Sequence, residues 1–172
     1  MGYNRQKKTE GSSYVLFSKF VDMEGRKCLI VGGGKVAWRK VKVLQEFGAD
    51  LKVVAPEIIK DIFEMDEIKC CKRPFEEEDL KSVDFVVAAT TDISLNHEIS
   101  QKCRSLKIPV NAVDQVADCD FIFPSYMKTG RGYRCIYQRR AKPGHYQISE
   151  RTGKIICDRI YRRNGTVPWR YS

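Results

Sequence analysis

Three small residues in the spacing G-x-G-x-x-A follow a short apolar run near the start of the chain. They are Gly32, Gly34 and Ala37. Glycine at the first position permits a tight turn, glycine at the second lets the main chain approach a charged group, and alanine allows close packing of helix on strand. The first N–H groups of the following helix would attract a diphosphate. The pattern therefore predicts a dinucleotide-binding turn, with an ordinary strand-turn-helix loop as the alternative.

A second apolar run, residues 51–55, ends in Pro56 and Glu57. In dinucleotide-binding folds an acidic residue about 20 residues beyond the glycines binds the ribose hydroxyls, and Glu57 stands near that distance. The alternative for Glu57 is an acid in the first turn of the next helix. No arginine follows to hold a 2′-phosphate, so the sequence favours NAD over NADP, although Lys60 lies nearby.

Strand and helix patterns alternate along the first two thirds of the chain. Short apolar runs predict strands at residues 27–31, 51–55, 67–72, 84–89 and 109–113. Helical patterns cover residues 35–47, 58–65 and 94–106, with a turn or short helix at 76–80. The alternation predicts an α/β fold, a Rossmann-type parallel sheet with crossover helices.

In the first helix, the residues expected to share one apolar face are Val36, Val43, Leu44 and Phe47, and Gly48 is expected to end the helix.

The cysteines and histidines form no recognisable metal or disulfide pattern. Seven cysteines are present without a C-x-x-C pair, which is typical of reduced thiols in the cytoplasm. The two histidines are too few to favour a metal site, so we expect no metal ligands. The polar residues 1–13 do not form a signal peptide, and no apolar run reaches the about 18 residues of a membrane span. We therefore expect a cytoplasmic protein without membrane contact.

Five motifs in order resemble the precorrin-2 dehydrogenase family, which includes the N-terminal domain of siroheme synthases and stand-alone relatives. The resemblance covers about residues 14–129. The motifs are V-G-G-G-K-V-A-W-R-K (31–40), F-G-A-D-L-K-V-V-A-P-E (47–57), A-A-T-T-D-I-S-L-N (88–96), I-P-V-N-A-V-D (108–114) and C-D-F-I-F-P-S (119–125). This resemblance implies NAD-dependent oxidation of precorrin-2, a tetrapyrrole, to sirohydrochlorin. It leaves open whether the chain also inserts ferrous iron, as some members do.

Carried over motif by motif, the resemblance implies a set of site residues. Asp114 matches the catalytic aspartate, and we expect it to act as the base that removes a proton during hydride transfer. Asn111 and Asp120 are lesser candidates, and a capping carboxylate is the alternative for Asp114. The residues expected to line the cofactor are Gly32, Gly33, Gly34, Lys35, Val36, Pro56, Glu57, Thr90 and Thr91.

The last quarter of the chain departs from the family. Residues 130–172 contain 11 of the 31 Lys and Arg residues and two of the 22 acidic residues, which accounts for the whole net charge of +9. They show no sustained helical or strand period where the family has a segment for dimerisation and substrate binding. A shift of reading frame would explain this, because suitable codons for residues 137–152 encode a family-like string in another frame. We then expect a poorly ordered or opportunistically packed tail.

The predicted organisation has four parts. Residues 1–13 are a flexible lead, 14–116 an NAD-binding domain, 117–129 the start of a dimerisation and substrate domain, and 130–172 an atypical basic tail. The family forms homodimers, but the altered tail makes a dimer doubtful here. The main alternative to an enzyme is an NAD-binding sensor without catalysis. A nucleic-acid binder with a basic arm is the third interpretation, and we expect no nucleic-acid partner because the tail's charge would be accidental.

Overall fold

The computed structural model describes residues 19–113, 115–129, 132–136, 147–148 and 155–156. Its first part contains five strands, three α-helices and two 3-10 turns. The strands are β1 (Lys27–Val31), β2 (Asp50–Ala55), β3 (Lys69–Lys72), β4 (Phe85–Ala88) and β5 (Val110–Ala112). The helices are α1 (Lys35–Glu46), α2 (Lys60–Phe63) and α3 (Ile93–Ser105), and the 3-10 turns are Glu77–Leu80 and Val116–Asp118.

These five strands form one sheet in the order β3-β2-β1-β4-β5, and every neighbouring pair is parallel. The prediction of a Rossmann-type α/β fold is therefore confirmed. The chain builds outward from β1 to β3, then crosses back and continues from β4 to β5. Strand order thus reverses between β1 and β4, and in such sheets ligands bind in the crevice beyond the carboxyl ends at that point.

The central strand β1 is buried on both faces. Cys28 and Ile30 pack into the cluster that includes α1 and α2, whereas Leu29 and Val31 pack into the cluster that includes α3. Side chains alternate between the faces of a sheet, so covering both faces requires an uninterrupted apolar run. All four side chains are at most 2% exposed. This burial anchors the glycine turn that follows Val31.

Helix α1 buries only one of the four residues predicted to share its apolar face, Leu44, while Val43 and Phe47 are half-buried. Its buried residues are Ala37, Val41 and Leu44, at successive turns of one side. Val36 is 40% exposed, so its assignment to the buried face was wrong. The rotation follows from Ala37, whose small side chain is fully buried and lets the helix approach the strands. Gly48 ends the helix as predicted, with φ at +74° and its N–H donating to the carbonyl of Gln45.

Residues 124–172 form a second unit, separate from residues 1–123. In it, β6 (Ser125–Thr129) pairs antiparallel with β7 (Gly132–Ile136), and β8 (Gln147–Ile148) pairs antiparallel with β9 (Ile155–Ile156). The sequence shows no sustained strand period after residue 130, but the structure forms the short strands β7, β8 and β9 there. Antiparallel pairing is made by main-chain groups, so such short strands need no side-chain period.

Candidate functional site

The turn after β1 is built around Gly32, whose backbone no other residue could adopt without strain. Its φ is +121°, and a Cβ there would lie 2.3 Å from the carbonyl oxygen of Ala89. The Gly32 N–H donates to the carbonyl of Val54 over 2.9 Å. The turn is thereby pressed between the ends of β2 and β4, at the place where strand order reverses.

Gly34 begins α1 and borders open space. It is the N-cap of the helix in extended conformation, and no heavy atom lies within 4 Å of the position of a Cβ there. The first turn of α1 contains no acidic residue, and the cap position supplies no side-chain hydrogen bond. The positive end of the helix dipole is therefore not neutralised from within the helix. This open, uncapped end fits the diphosphate of a dinucleotide.

Lys35 and Val36 follow directly and are both exposed at this end of α1. The exposure of Val36, which contradicts a core role, agrees with its alternative assignment beside the cofactor. A lysine in the first turn adds positive charge near the place where phosphates would lie. These two residues can therefore contribute charge and apolar surface to the same site.

Pro56 and Glu57 are exposed immediately beyond β2. The Glu57 carboxylate has no hydrogen-bond or ion-pair partner among the residues the structure describes. Lys60, the nearby cation, pairs instead with Glu64 at 3.3 Å on the outer surface of α2. A carboxylate free of cations at this position can accept hydrogen bonds from the two ribose hydroxyls of NAD.

Thr90 is tied into the beginning of α3. Its Oγ1 lies 2.8 Å from Asn96 Oδ1 and 2.9 Å from the carbonyl oxygen of Asp92. The main chain of Thr90 also bonds to Asn96, through its N–H at 3.1 Å and its carbonyl at 3.1 Å. Asp92 caps α3 by accepting from the N–H groups of Ser94 and Leu95. The Thr90 hydroxyl therefore shapes the edge of the crevice, whereas Thr91 is exposed there.

Asn96 is a site residue that the sequence analysis missed. It is 2% exposed and makes all three of those hydrogen bonds with Thr90. The only available signal was a polar residue inside the A-A-T-T-D-I-S-L-N motif, on the helix next to the crevice. Its role is to hold the end of β4 against α3.

The expected catalytic residue, Asp114, lies outside the described residues. Val113, just before it, donates its N–H to the carbonyl of Ala88 over 2.9 Å, which places the end of β5 beside the end of β4. The two lesser candidates have structural bonds: Asn111 Nδ2 donates to the carbonyl of Phe121 over 2.9 Å, and Asp120 Oδ2 accepts from the N–H of Val110. The assignment of Asp114 as the catalytic base stays a prediction.

A second polar cluster on α3 was also not predicted. His97 Nδ1 lies 2.9 Å from Asp118 Oδ2, and Ser100 Oγ donates to the carbonyl of Asp118 over 2.8 Å. The Asp118 side chain is only 6% exposed, and Arg104 lies 3.8 Å from its other oxygen. These bonds fasten the 3-10 turn after β5 to α3. Local sequence patterns do not reveal this pairing, because its partners lie about twenty residues apart in the chain.

Two buried groups that lie away from the crevice have strongly shifted pKa values. Burial, with help from the charges of Asp84 and Asp50, raises the pKa of the Cys28 thiol to about 12. The Arg73 guanidinium, assisted by Lys52, holds the pKa of the buried Asp79 carboxyl well below its usual range. Arg73 bonds both Asp79 oxygens, at 2.6 and 2.8 Å. Asp79 is thus a fully paired structural charge, and Cys28 is an inert core thiol.

A family model described as "Putative NAD(P)-binding" matches residues 19–125. The chain belongs to this NAD(P)-binding family. The match includes the glycine turn, Glu57 and the end of β4. It agrees with the open helix end at Gly34, and it supports the predicted dinucleotide cofactor, NAD.

Comparison with known proteins also confirms the resemblance seen in the motifs. The siroheme synthase of Ectopseudomonas mendocina is 45% identical over 109 residues, 62% of this chain and 23% of the synthase. That of Nitrosococcus oceani is 32% identical over 155 residues, 88% of this chain and 33% of the synthase. The solved structure of SirC, precorrin-2 dehydrogenase, superposes with a TM-score of 0.61 at 30% identity, covering 74% of this chain and 64% of SirC.

The chain spans only a quarter to a third of the length of these synthases. The longer match reaches into the basic tail, since residues 1–129 make up three quarters of the chain and the match covers 88%. The reading-frame hypothesis stays a prediction, which sequencing the gene tests. Among the described residues, no helix is both long and apolar enough to cross a lipid bilayer.

Proposed function

We propose that this chain is an NAD-dependent dehydrogenase that oxidises precorrin-2 to sirohydrochlorin. The observation that carries the proposal is the open end of α1 at Gly34, at the point where strand order reverses. The likeness to SirC and to siroheme synthases supports the tetrapyrrole substrate.

The glycine turn and the first turn of α1 would hold the diphosphate of NAD. Main-chain N–H groups there would donate to the phosphate oxygens, and Lys35 would add charge. Glu57 would accept from the ribose hydroxyls, beside Pro56. The edge formed by Thr90 and Thr91 would border the same crevice on the side of β4. When bound, NAD supplies the hydride acceptor for a two-electron oxidation.

The remaining task of the protein is to remove a proton. Oxidation of precorrin-2 to sirohydrochlorin releases one hydride and one proton, and Asp114 would accept the proton as the general base. Its neighbour Val113 is bonded to the end of β4, so a base at this position would stand at the carboxyl edge of the sheet, where the cofactor would also lie. Insertion of ferrous iron is an extension of the proposal, in which Asp114 takes pyrrole protons as the metal enters.

Further parts of the proposal concern assembly and location. A homodimer like that of the family would complete the tetrapyrrole site. Because the tail of this chain departs from the family's dimerisation segment, the dimer is the least supported part of the proposal. Five cysteines of the described residues, Cys28, Cys70, Cys71, Cys103 and Cys119, are free, which supports a reducing, cytoplasmic location.

The test is an absorbance assay of the purified chain with precorrin-2 and NAD, with and without ferrous iron. We expect NADH to form in step with sirohydrochlorin, and Asp114→Ala to abolish turnover while the Kd for NAD stays within about twofold. Unchanged turnover in Asp114→Ala would discard the assignment of the base. Tight NAD binding with no turnover in the unmodified chain would favour the sensor instead.

A further inference from the structure

Gly33, the middle residue of the three glycines, contacts a loop that follows a different strand. A Cβ at Gly33 would lie 2.2 Å from the carbonyl oxygen of Glu57 and 2.7 Å from the Cα of Ile58. Gly33 is not required by its own backbone angle, because its φ is not positive. The constraint therefore comes from the neighbouring main chain, which leaves no room for any side chain.

A hydrogen bond reinforces this contact. The N–H of Ile59 donates to the carbonyl of Gly33 over 2.9 Å. Ile58 and Ile59 also pack against the hydrophobic cluster that includes α1, so the loop is anchored to the core. The loop that carries Glu57 is thus seated directly on the glycine turn.

We propose that Gly33 is a positioning residue that sets the Glu57 carboxylate relative to the diphosphate-binding turn and thereby determines the preference for NAD over NADP. The inference rests on the proposed function, since it concerns the same cofactor site. A carboxylate at the ribose accepts from the 2′-hydroxyl of NAD but repels the 2′-phosphate of NADP. Both effects depend on the distance between the Glu57 carboxylate and the ribose. The position of the ribose is fixed once the diphosphate is bound to the turn, so the position of the Glu57 loop sets this distance.

This arrangement distinguishes Gly33 from its neighbour Gly34. A methyl group at Gly33 displaces the loop of Glu57, whereas a methyl group at Gly34 meets no atom of another part of the protein within 4 Å. Gly33→Ala should therefore change selectivity, and Gly34→Ala should weaken NAD and NADP alike. Gly34→Ala is the matched control, because it adds the same group one residue away.

The experiment measures the Kd values for NAD and NADP by calorimetry in the full chain and its variants Gly33→Ala, Gly34→Ala and Glu57→Gln, and the double variant Gly33→Ala/Glu57→Gln. We expect Glu57→Gln to reduce the NAD-over-NADP ratio about tenfold or more. Gly33→Ala should reduce it similarly, and the double variant should be no worse than Glu57→Gln alone. Equal weakening of both cofactors by Gly33→Ala, or additive effects in the double variant, would overturn the inference.

A second pair of variants keeps the test decisive if Gly33→Ala fails to fold. Ile59 has φ −62° and ψ 152°, which proline adopts readily. Ile59→Pro therefore differs from Ile59→Ala in replacing the N–H with a ring carbon, which removes the donor and crowds the Gly33 carbonyl that the N–H faces. We expect a lower NAD-over-NADP ratio in Ile59→Pro than in Ile59→Ala, and equal ratios would overturn the inference. An unmodified chain that binds NAD and NADP equally refutes the inference alone, whereas one that binds neither refutes the proposed function as well.

Discussion

Two single-methyl substitutions in the glycine turn should separate folding from cofactor binding. Gly32 has a φ of +121°, and a Cβ there would lie 2.3 Å from the carbonyl oxygen of Ala89, whereas Gly34 has a φ of −92° and ψ of −170° and open space beside it. Alanine can adopt the second conformation but not the first. We therefore expect Gly32→Ala to damage the fold and Gly34→Ala to damage binding.

The magnitudes follow from these environments. At Gly32, a disallowed backbone angle costs about 1–3 kcal/mol, and overpacking against the end of β4 costs about 1–3 kcal/mol more. At Gly34, the loss of a favoured N-cap residue opposes the smaller entropy of the unfolded chain, so the free energy of unfolding should change by less than about 1 kcal/mol. Binding should fall about tenfold or more, because a methyl group there displaces a charged phosphate from its N–H donors.

Urea unfolding gives the stability of both variants, and calorimetry with NAD gives the affinity of Gly34→Ala. The unmodified chain is the reference for both measurements. If folded Gly34→Ala binds NAD as tightly as the unmodified chain, the open helix end is not the phosphate site. If Gly32→Ala is as stable as the unmodified chain, the backbone angle and the contact with Ala89 do not constrain this position.

Three further predictions concern the surrounding structure. Asn96→Ala should lower the free energy of unfolding by about 1–3 kcal/mol, because it removes the partner of the part-buried N–H and carbonyl of Thr90, and urea unfolding measures this. Gln101→Ala, on the exposed side of α3, is the control and should have little effect. The lowered pKa of Asp79 means that its contribution to stability is complete above about pH 4, the unfolded value, and is lost as the pH falls through the lower folded value. Unfolding measured between neutral and strongly acid pH should therefore show a smaller acid loss in Asp79→Asn, and an identical loss would contradict the pairing. Burial raises the pKa of the Cys28 and Cys103 thiols to about 12, so neither should react with a thiol reagent at pH 8 until the chain unfolds; rapid labelling of either thiol in the folded chain, read by peptide mass, would show that the core is open.

Local patterns were sufficient to predict the five strands of the parallel sheet and most helix limits. The run Lys27–Val31 was predicted to the residue, because a strand covered on both faces is apolar at every buried position, here from Cys28 to Val31. The buried face of α1 was predicted correctly only at Leu44, because the periodicity of Val36, Val43 and Leu44 does not reveal which side meets the sheet. The fully buried Ala37 decides that rotation, and a lone alanine carries little weight in a hydrophobic pattern.

The sequence by itself determined the strand, the glycine turn and the helix of the dinucleotide motif, because those depend on residue types at short, regular spacing. It identified Gly32 and Gly34 and predicted that Glu57 binds the ribose. Only the tertiary structure decided which glycine does what: the three have the same side chain, and only their neighbours differ. Gly32 is confined by Ala89, Gly33 by the loop of Glu57, and Gly34 by nothing within 4 Å. The bonds of Asn96 with Thr90 and of His97 with Asp118 likewise join separate elements, and such contacts exist only once the sheet has brought those elements together.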